Sequence, residues 1–127
     1  MSYKTTDLKI IANELRLAKD KGYSTAVLLG SGMSLTAGIP LAIDMIKEIK
    51  KKFPILADTC DKETYQAYMS LLTPAQRKEL IDPFIESAKI NIAHLYLGSL
   101  VKENYVDLVL TTNFDPFVIR SLKLYNI

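Results

Sequence analysis

Thr25-Ala26-Val27-Leu28-Leu29-Gly30-Ser31-Gly32-Met33-Ser34 changes character at its midpoint. The first half is a short, nearly continuous apolar run, the pattern of a strand buried on both faces of a parallel sheet. The second half is small and polar, a loop that hands over through Ala37-Gly38-Ile39-Pro40 to a helix. Further along, Tyr105-Val106-Asp107-Leu108-Val109-Leu110 repeats the transition, ending in Thr111-Thr112-Asn113-Phe114-Asp115-Pro116. Between the two strands the periodicity is helical, over about residues 41–103. The expected fold is therefore α/β, a Rossmann-like parallel sheet with a helical insertion between its two recognisable strands.

Outward from the first strand, Asp7 to Lys21 is expected to be an amphipathic helix. Leu8, Ile11, Leu15 and Ala18 share one face, Thr5 or Thr6 is available as N-cap, and Gly22 supplies the stop. From Leu41 to Lys52 a second helix should turn Ile43, Ile46, Ile49 and Phe53 inward. A third covers about Lys62 to Leu72. Thr73, Pro74 and Gln76 then form a capping signature for a fourth, which Pro83 should break or kink. About Asn91 to Lys102 is another, with Ile92, Leu95, Tyr96 and Leu100 as its candidate buried face. Pro116 suits the first turn of a last helix through Leu124.

Composition narrows the function classes. The 127 residues are 49% hydrophobic and 24% charged, a globular profile. Sixteen basic against fourteen acidic residues give a net charge of +2, too balanced for a nucleic-acid footprint. Lys47, Lys50, Lys51 and Lys52 read as the solvated face of their helix. The single cysteine, Cys60, excludes an internal disulfide and a four-cysteine zinc site, so no metal is expected. No apolar run approaches a membrane span, and the polar start lacks the apolar core of a signal peptide. A soluble, cytoplasmic protein is the expectation.

In open α/β sheets the ligand crevice lies beyond the carboxyl ends of the strands, so the two polar tips are candidates for one site. At the first, Gly30 and Gly32 let backbone N–H groups approach a phosphate, and Ser31 and Ser34 add hydroxyls. An ordinary strand-to-helix turn accounts for the same residues. Two common nucleotide motifs are absent: Gly38 is followed by Ile39 where a P-loop needs lysine, and position 35 is Leu35 where G-x-G-x-x-G needs glycine. At the second tip, Asp115 before Pro116 reads as a helix start and Asn113 as a turn residue. A carboxylate beside a pyrophosphate would be repelled. If Asp115 meets a dinucleotide it should face a neutral, donor-bearing group such as a carboxamide, with Asn113 nearer the sugar.

Taken together, the tips resemble the sirtuin superfamily. Its first motif, G-A-G-x-S-x-x-x-G-I-P, stands here as Gly30-Ser31-Gly32-Met33-Ser34-Leu35-Thr36-Ala37-Gly38-Ile39-Pro40. Its second, T-Q-N-I-D, stands as Thr111-Thr112-Asn113-Phe114-Asp115, similar to the sirtuin-like NAD-hydrolase domains of bacterial antiphage defence proteins. The resemblance implies that Gly30, Ser31, Gly32 and Ser34 cradle the NAD pyrophosphate and that Gly38, Ile39 and Pro40 shape the loop near the nicotinamide. Thr112, Asn113 and Asp115 would also bind cofactor, Asn113 acting catalytically at the ribose and Asp115 holding the carboxamide. The implied reaction is hydrolysis of NAD to nicotinamide and ADP-ribose, without zinc. Leu41-Ala42-Ile43 replaces the Asp-Phe-Arg that protein-deacylating members carry after Gly-Ile-Pro, which favours hydrolysis over deacylation.

The family's catalytic histidine follows its second motif in a His-Gly pair, whereas this sequence ends at Ile127, twelve residues past Asp115. His94, before the second strand, matches a structural position. The expectation is thus the N-terminal part of a truncated sirtuin-like domain, inactive alone, with NAD or ADP-ribose, self-association or an appended domain as partners. A non-catalytic NAD or nucleotide-binding module and a degenerate structural or interaction domain are the alternatives.

Overall fold

A computed structural model describes residues 7–127. The helix α1 (Leu8–Asp20) is capped by Asp7, whose carboxylate accepts from the Lys9 N–H at 2.9 Å; the expected caps Thr5 and Thr6 lie outside the described residues. Gly22, at φ 70°, follows the helix as expected. The expected buried face does not form: no residue of α1 is buried, and Leu8 is 81% exposed. Lys19 anchors it, donating to the Glu103 carbonyl at 2.7 Å and sitting 4.3 Å from the Tyr105 ring centroid.

Strands β1 (Ala26–Leu29) and β2 (Leu108–Thr111) pair in parallel, Ala26 opposite Leu108 and Leu29 opposite Thr111. The chain is a mixed α/β fold, mostly helical, with this two-stranded parallel sheet among its described residues. Burial of both strands on two faces is not observed. Leu28 is 74% exposed, and Leu108 and Leu110 are also exposed, because no described helix layer covers that side. The Asp107 carboxylate fastens the start of the pair, accepting from the Thr25 N–H at 2.7 Å.

Five α-helices lie between the strands: α2 (Ala42–Lys52), α3 (Pro54–Ala57), α4 (Tyr65–Leu71), α5 (Pro74–Ser87) and α6 (Ile92–Lys102). The larger core is among α2 to α5, where Met45, Ile49, Ala57, Tyr68, Leu72 and Leu80 are buried together. Met45, Ile49, Leu72 and Leu80 each stabilise the fold by roughly 1.5–3 kcal/mol. Ile49 faces inward as expected, with Ile46 and Phe53 packed alongside; Ile43 is exposed, and Met45 takes the inward place.

The capping box at α5 forms, Thr73 Oγ1 accepting from the Gln76 N–H and Gln76 Oε1 from the Thr73 N–H. Pro83 does not end α5, which continues to Ser87. A proline there deprives the Glu79 carbonyl of its helical donor. Lys52 Nζ supplies the replacement at 2.9 Å.

In α6 the buried residues are His94, Leu97 and Gly98, while Ile92 and Tyr96 face outward, the reverse of the expectation for that pair. The last helix, α7 (Phe117–Leu124), packs on α6, its Ser121 carbonyl 3.3 Å from where a Cβ on Gly98 would stand. A second, smaller core of Ala37, Ile39 and Phe117 lies under the first strand tip, and Phe84 touches both cores.

Candidate functional site

The segment after β1 is a 3-10 helix (Ser31–Ala37), where the sequence suggested an irregular loop. It closes at Gly38, whose φ of 102° is strained for any residue with a Cβ. Ala37 and Ile39 then anchor it in the small core, and the Lys89 N–H donates to the Ala37 carbonyl at 3.0 Å. A Cβ built on Gly30 or Gly32 meets nothing within 4 Å. The glycines thus border open space.

Four polar residues, Asn113, Ser34, His94 and Asn91, tie this tip to the second one and to α6. Asn113 Nδ2 donates to the Gly30 carbonyl at 3.1 Å and to Ser34 Oγ at 3.4 Å. Ser34 is buried, and its hydroxyl also lies 3.4 Å from His94 Nε2. His94 Nδ1 accepts from the Asn91 N–H at 3.2 Å, which fixes the ring's proton on Nε2 and makes Ser34 Oγ the acceptor. Asn91 in turn caps α6, accepting from the His94 N–H, and donates through Nδ2 to the Met33 carbonyl and Thr36 Oγ1. The 3-10 helix, α6 and the second tip are therefore one hydrogen-bonded unit. Burial pushes the His94 imidazole below the ordinary histidine pKa, opposed by the nearby Asp115 carboxylate. The ring meets Phe117 edge-on, centroids 5.7 Å apart.

Asp115 divides its two oxygens. Oδ1 accepts from the Phe117 N–H at 3.1 Å and so satisfies a first-turn N–H of α7, but the N-cap itself is Pro116, one residue later than expected. Oδ2 is buried with no hydrogen-bond partner, in a residue only 8% exposed. An unpaired buried carboxylate oxygen costs roughly 1–3 kcal/mol or more, so its retention calls for an explanation.

That oxygen belongs to a residue lining a cleft of about 280 Å³. The strand tips contribute Ser31, Thr112, Asn113, Phe114 and Asp115. Ile39, Pro40, Ala42 and Met45 form an apolar side. Tyr65 and Gln66, from the first turn of α4, complete it. Of the residues expected from sequence, Ser31, Ile39, Pro40, Thr112, Asn113 and Asp115 thus meet in one cleft. Gly30, Gly32, Ser34 and Gly38 do not line it. Ser34 lies beneath, turned toward Asn113 and His94, and is unavailable as the phosphate hydroxyl expected of it.

Sequence reasoning missed Asn91, Tyr65 and Gln66. Asn91 had a visible signal as the polar residue before the α6 pattern. Nothing local distinguishes Tyr65 or Gln66 from other residues of an amphipathic helix.

Elsewhere, the α2 lysines are largely paired. Lys47 meets Asp44, Lys50 meets Glu63 and Lys52 meets Glu79, at 2.8, 2.9 and 3.2 Å. Hydrogen bonding to Lys50 holds the Glu63 carboxyl below its usual range and raises Lys50, while burial pushes the Tyr68 phenol up. Cys60 Sγ donates to the Lys62 carbonyl at 3.2 Å. Among the described residues, no cluster of three His, Cys, Asp or Glu side chains could hold a metal, and no helix is long and apolar enough to cross a membrane. No protein-family model, curated protein or solved structure matches the chain.

Proposed function

We propose that the cleft between the strand tips is a dinucleotide site of the sirtuin-like kind in a Rossmann-like fold, and that it serves cleavage of the nicotinamide–ribose bond of NAD. One observation carries the reading: the buried, unpartnered Oδ2 of Asp115 beside a cleft to which both tips contribute. A ligand carboxamide offers the N–H donor this oxygen lacks. A volume near 280 Å³ suits one flat ring better than a whole dinucleotide, since complete small-molecule sites run to roughly 300–1,000 Å³. The ring end would enter the cleft, with the pyrophosphate over the open space at Gly30 and Gly32.

Asn113 would serve the ribose. It lines the cleft while its Nδ2 is held by Gly30 and Ser34, leaving Oδ1 to orient a sugar hydroxyl or a water. Cleavage of the glycosidic bond passes through an oxocarbenium-like transition state, which these residues serve by positioning and electrostatics. His94 supplies no acid or base at the bond, because both its ring nitrogens are engaged below the cleft. That engagement favours a second reading, a module that holds NAD without cleaving it.

Nicotinamide release separates the two. Addition of NAD or ADP-ribose is expected to raise the melting temperature of the chain, and no shift with either at millimolar concentration would remove both readings. If nicotinamide is released, Asn113→Ala should abolish it; undiminished release in that variant would exclude Asn113 from the site.

A further inference from the structure

The cleft has a charge as well as a shape. Asp115 is the one formally charged side chain in its lining, with no Lys, Arg or His beside it among the described residues. The Phe117 N–H occupies Oδ1, and Oδ2 is buried without a partner. A single neutral donor does not cancel a carboxylate's charge, and no ion pair among the described residues includes Asp115. His94 stands near it from α6, but burial holds that imidazole below the ordinary histidine pKa, so at neutral pH it is uncharged. Arg120, on α7, lies 5.6 Å over the Phe117 ring and is not part of the cleft wall.

The rest of the wall also suits a cation. Half-buried Tyr65 and exposed Phe114 bring two aromatic rings, whose faces are their negative sides. Ile39, Pro40, Ala42 and Met45 keep water, and with it screening, from one side. A cleft of about 280 Å³ is roughly 8 Å across, a distance at which opposite unit charges still attract through an effective dielectric of about 20. That attraction is worth roughly thirtyfold in an equilibrium, and about threefold to thirtyfold once solvent at the open side screens it.

We infer that the cleft selects its ligand by charge, taking a flat cationic ring over the neutral counterpart, with Asp115 as the specificity-determining residue. For the dinucleotide proposed above, on which this rests, the oxidised form with its pyridinium ring binds in preference to NADH, whose dihydropyridine ring is uncharged. The carboxamide hydrogen bond cannot make that distinction, because both forms carry the same carboxamide. The selection also matches the chemistry. When the bond from ribose to ring nitrogen breaks, its electron pair stays on the nitrogen, so a pyridinium leaves as neutral nicotinamide. A dihydropyridine would have to leave as an anion. Binding the cation therefore admits the cleavable form.

The test titrates the wild type and Asp115→Asn with two ligand pairs that differ in ring charge and keep the carboxamide. NAD is compared with NADH by calorimetry, and N-methylnicotinamide, a cation, with nicotinamide by amide NMR shifts. In the wild type the cation of each pair should bind roughly threefold to thirtyfold tighter. In Asp115→Asn the two members of each pair should come within about twofold of one another. Equal wild-type affinities for NAD and NADH would overturn the inference and leave the dinucleotide site standing, as would a preference that survives in the variant. A preference in only one pair, with both pairs bound, would trace to shape and overturn it too. N-methylnicotinamide bound over nicotinamide, with neither dinucleotide bound, would keep the charge selection and remove the dinucleotide reading. Binding of none of the four would remove both.

Discussion

Replacing Asp115 with asparagine should make the protein more stable and a poorer NAD binder at once. Asparagine keeps a side-chain oxygen for the Phe117 N–H, so that hydrogen bond at the start of α7 is preserved. Losing the charge at the start of α7 costs roughly 0.3–1 kcal/mol of dipole interaction. Against this, Oδ2 is buried without a partner, which costs about 1–3 kcal/mol for an uncharged group and more for a charged one. A neutral amide in its place is still unpaired but carries the smaller penalty. The balance is a gain on the order of 1 kcal/mol, or roughly 3–6 °C in melting temperature for a chain of this size.

The same change removes the acceptor for the ligand's N–H. Hydrogen bonds to charged groups are worth about 1.5–3 kcal/mol, so NAD affinity should fall tenfold to about a hundredfold. Thermal and urea denaturation of the two proteins, with calorimetry on NAD, measure both effects. Stability and affinity moving in opposite directions is the signature of a group kept for ligand. A variant less stable by 1 kcal/mol or more, with NAD affinity unchanged, would reduce Asp115 to the acceptor of the Phe117 N–H and refute the reasoning.

Two further outcomes follow from the packing. Burial lowers the His94 pKa in the folded state, so the unfolded chain takes up its proton first as pH falls. Stability should therefore be level above about pH 6.5 and decline below it by up to about 1.4 kcal/mol per unit until the folded-state pKa is reached. His94→Gln should lack this part of the pH dependence, and identical pH–stability curves for the two proteins would show that burial does not depress the group. Leu80→Ala empties part of the core shared by α2, α4 and α5 and should cost about 2–5 kcal/mol in denaturant unfolding. A loss under 1 kcal/mol would mean that those helices do not share a packed core.

Much of this architecture is legible one segment at a time. Both strands, the α5 capping box, the Gly22 stop and the convergence of Asn113 with the first tip follow from local chemistry. What local pattern misses is decided by partners distant in sequence. In α6, apolar residues occupy nearly every side, so periodicity cannot choose between Ile92 or Tyr96 and Leu97. The close approach of α7 at Gly98 decides it. Pro83 is tolerated because Lys52, on another helix, satisfies the carbonyl it orphans. The strands read as doubly buried from their composition, yet burial depends on covering layers that the described residues do not provide on the Leu28 side. In the site, the same limit hid Tyr65 and Gln66, which join the cleft only through the packing of α4.

The central claim is that the two strand tips form one ligand site, and backbone amide NMR during a titration with NAD tests it most directly. The expected result is saturable shifts in the amides of Ser31, Gly32, Asn113, Phe114 and Asp115, moving together with a single dissociation constant. No shifts at millimolar NAD, or shifts confined to the Lys50–Glu63 side of the helical core, would contradict it.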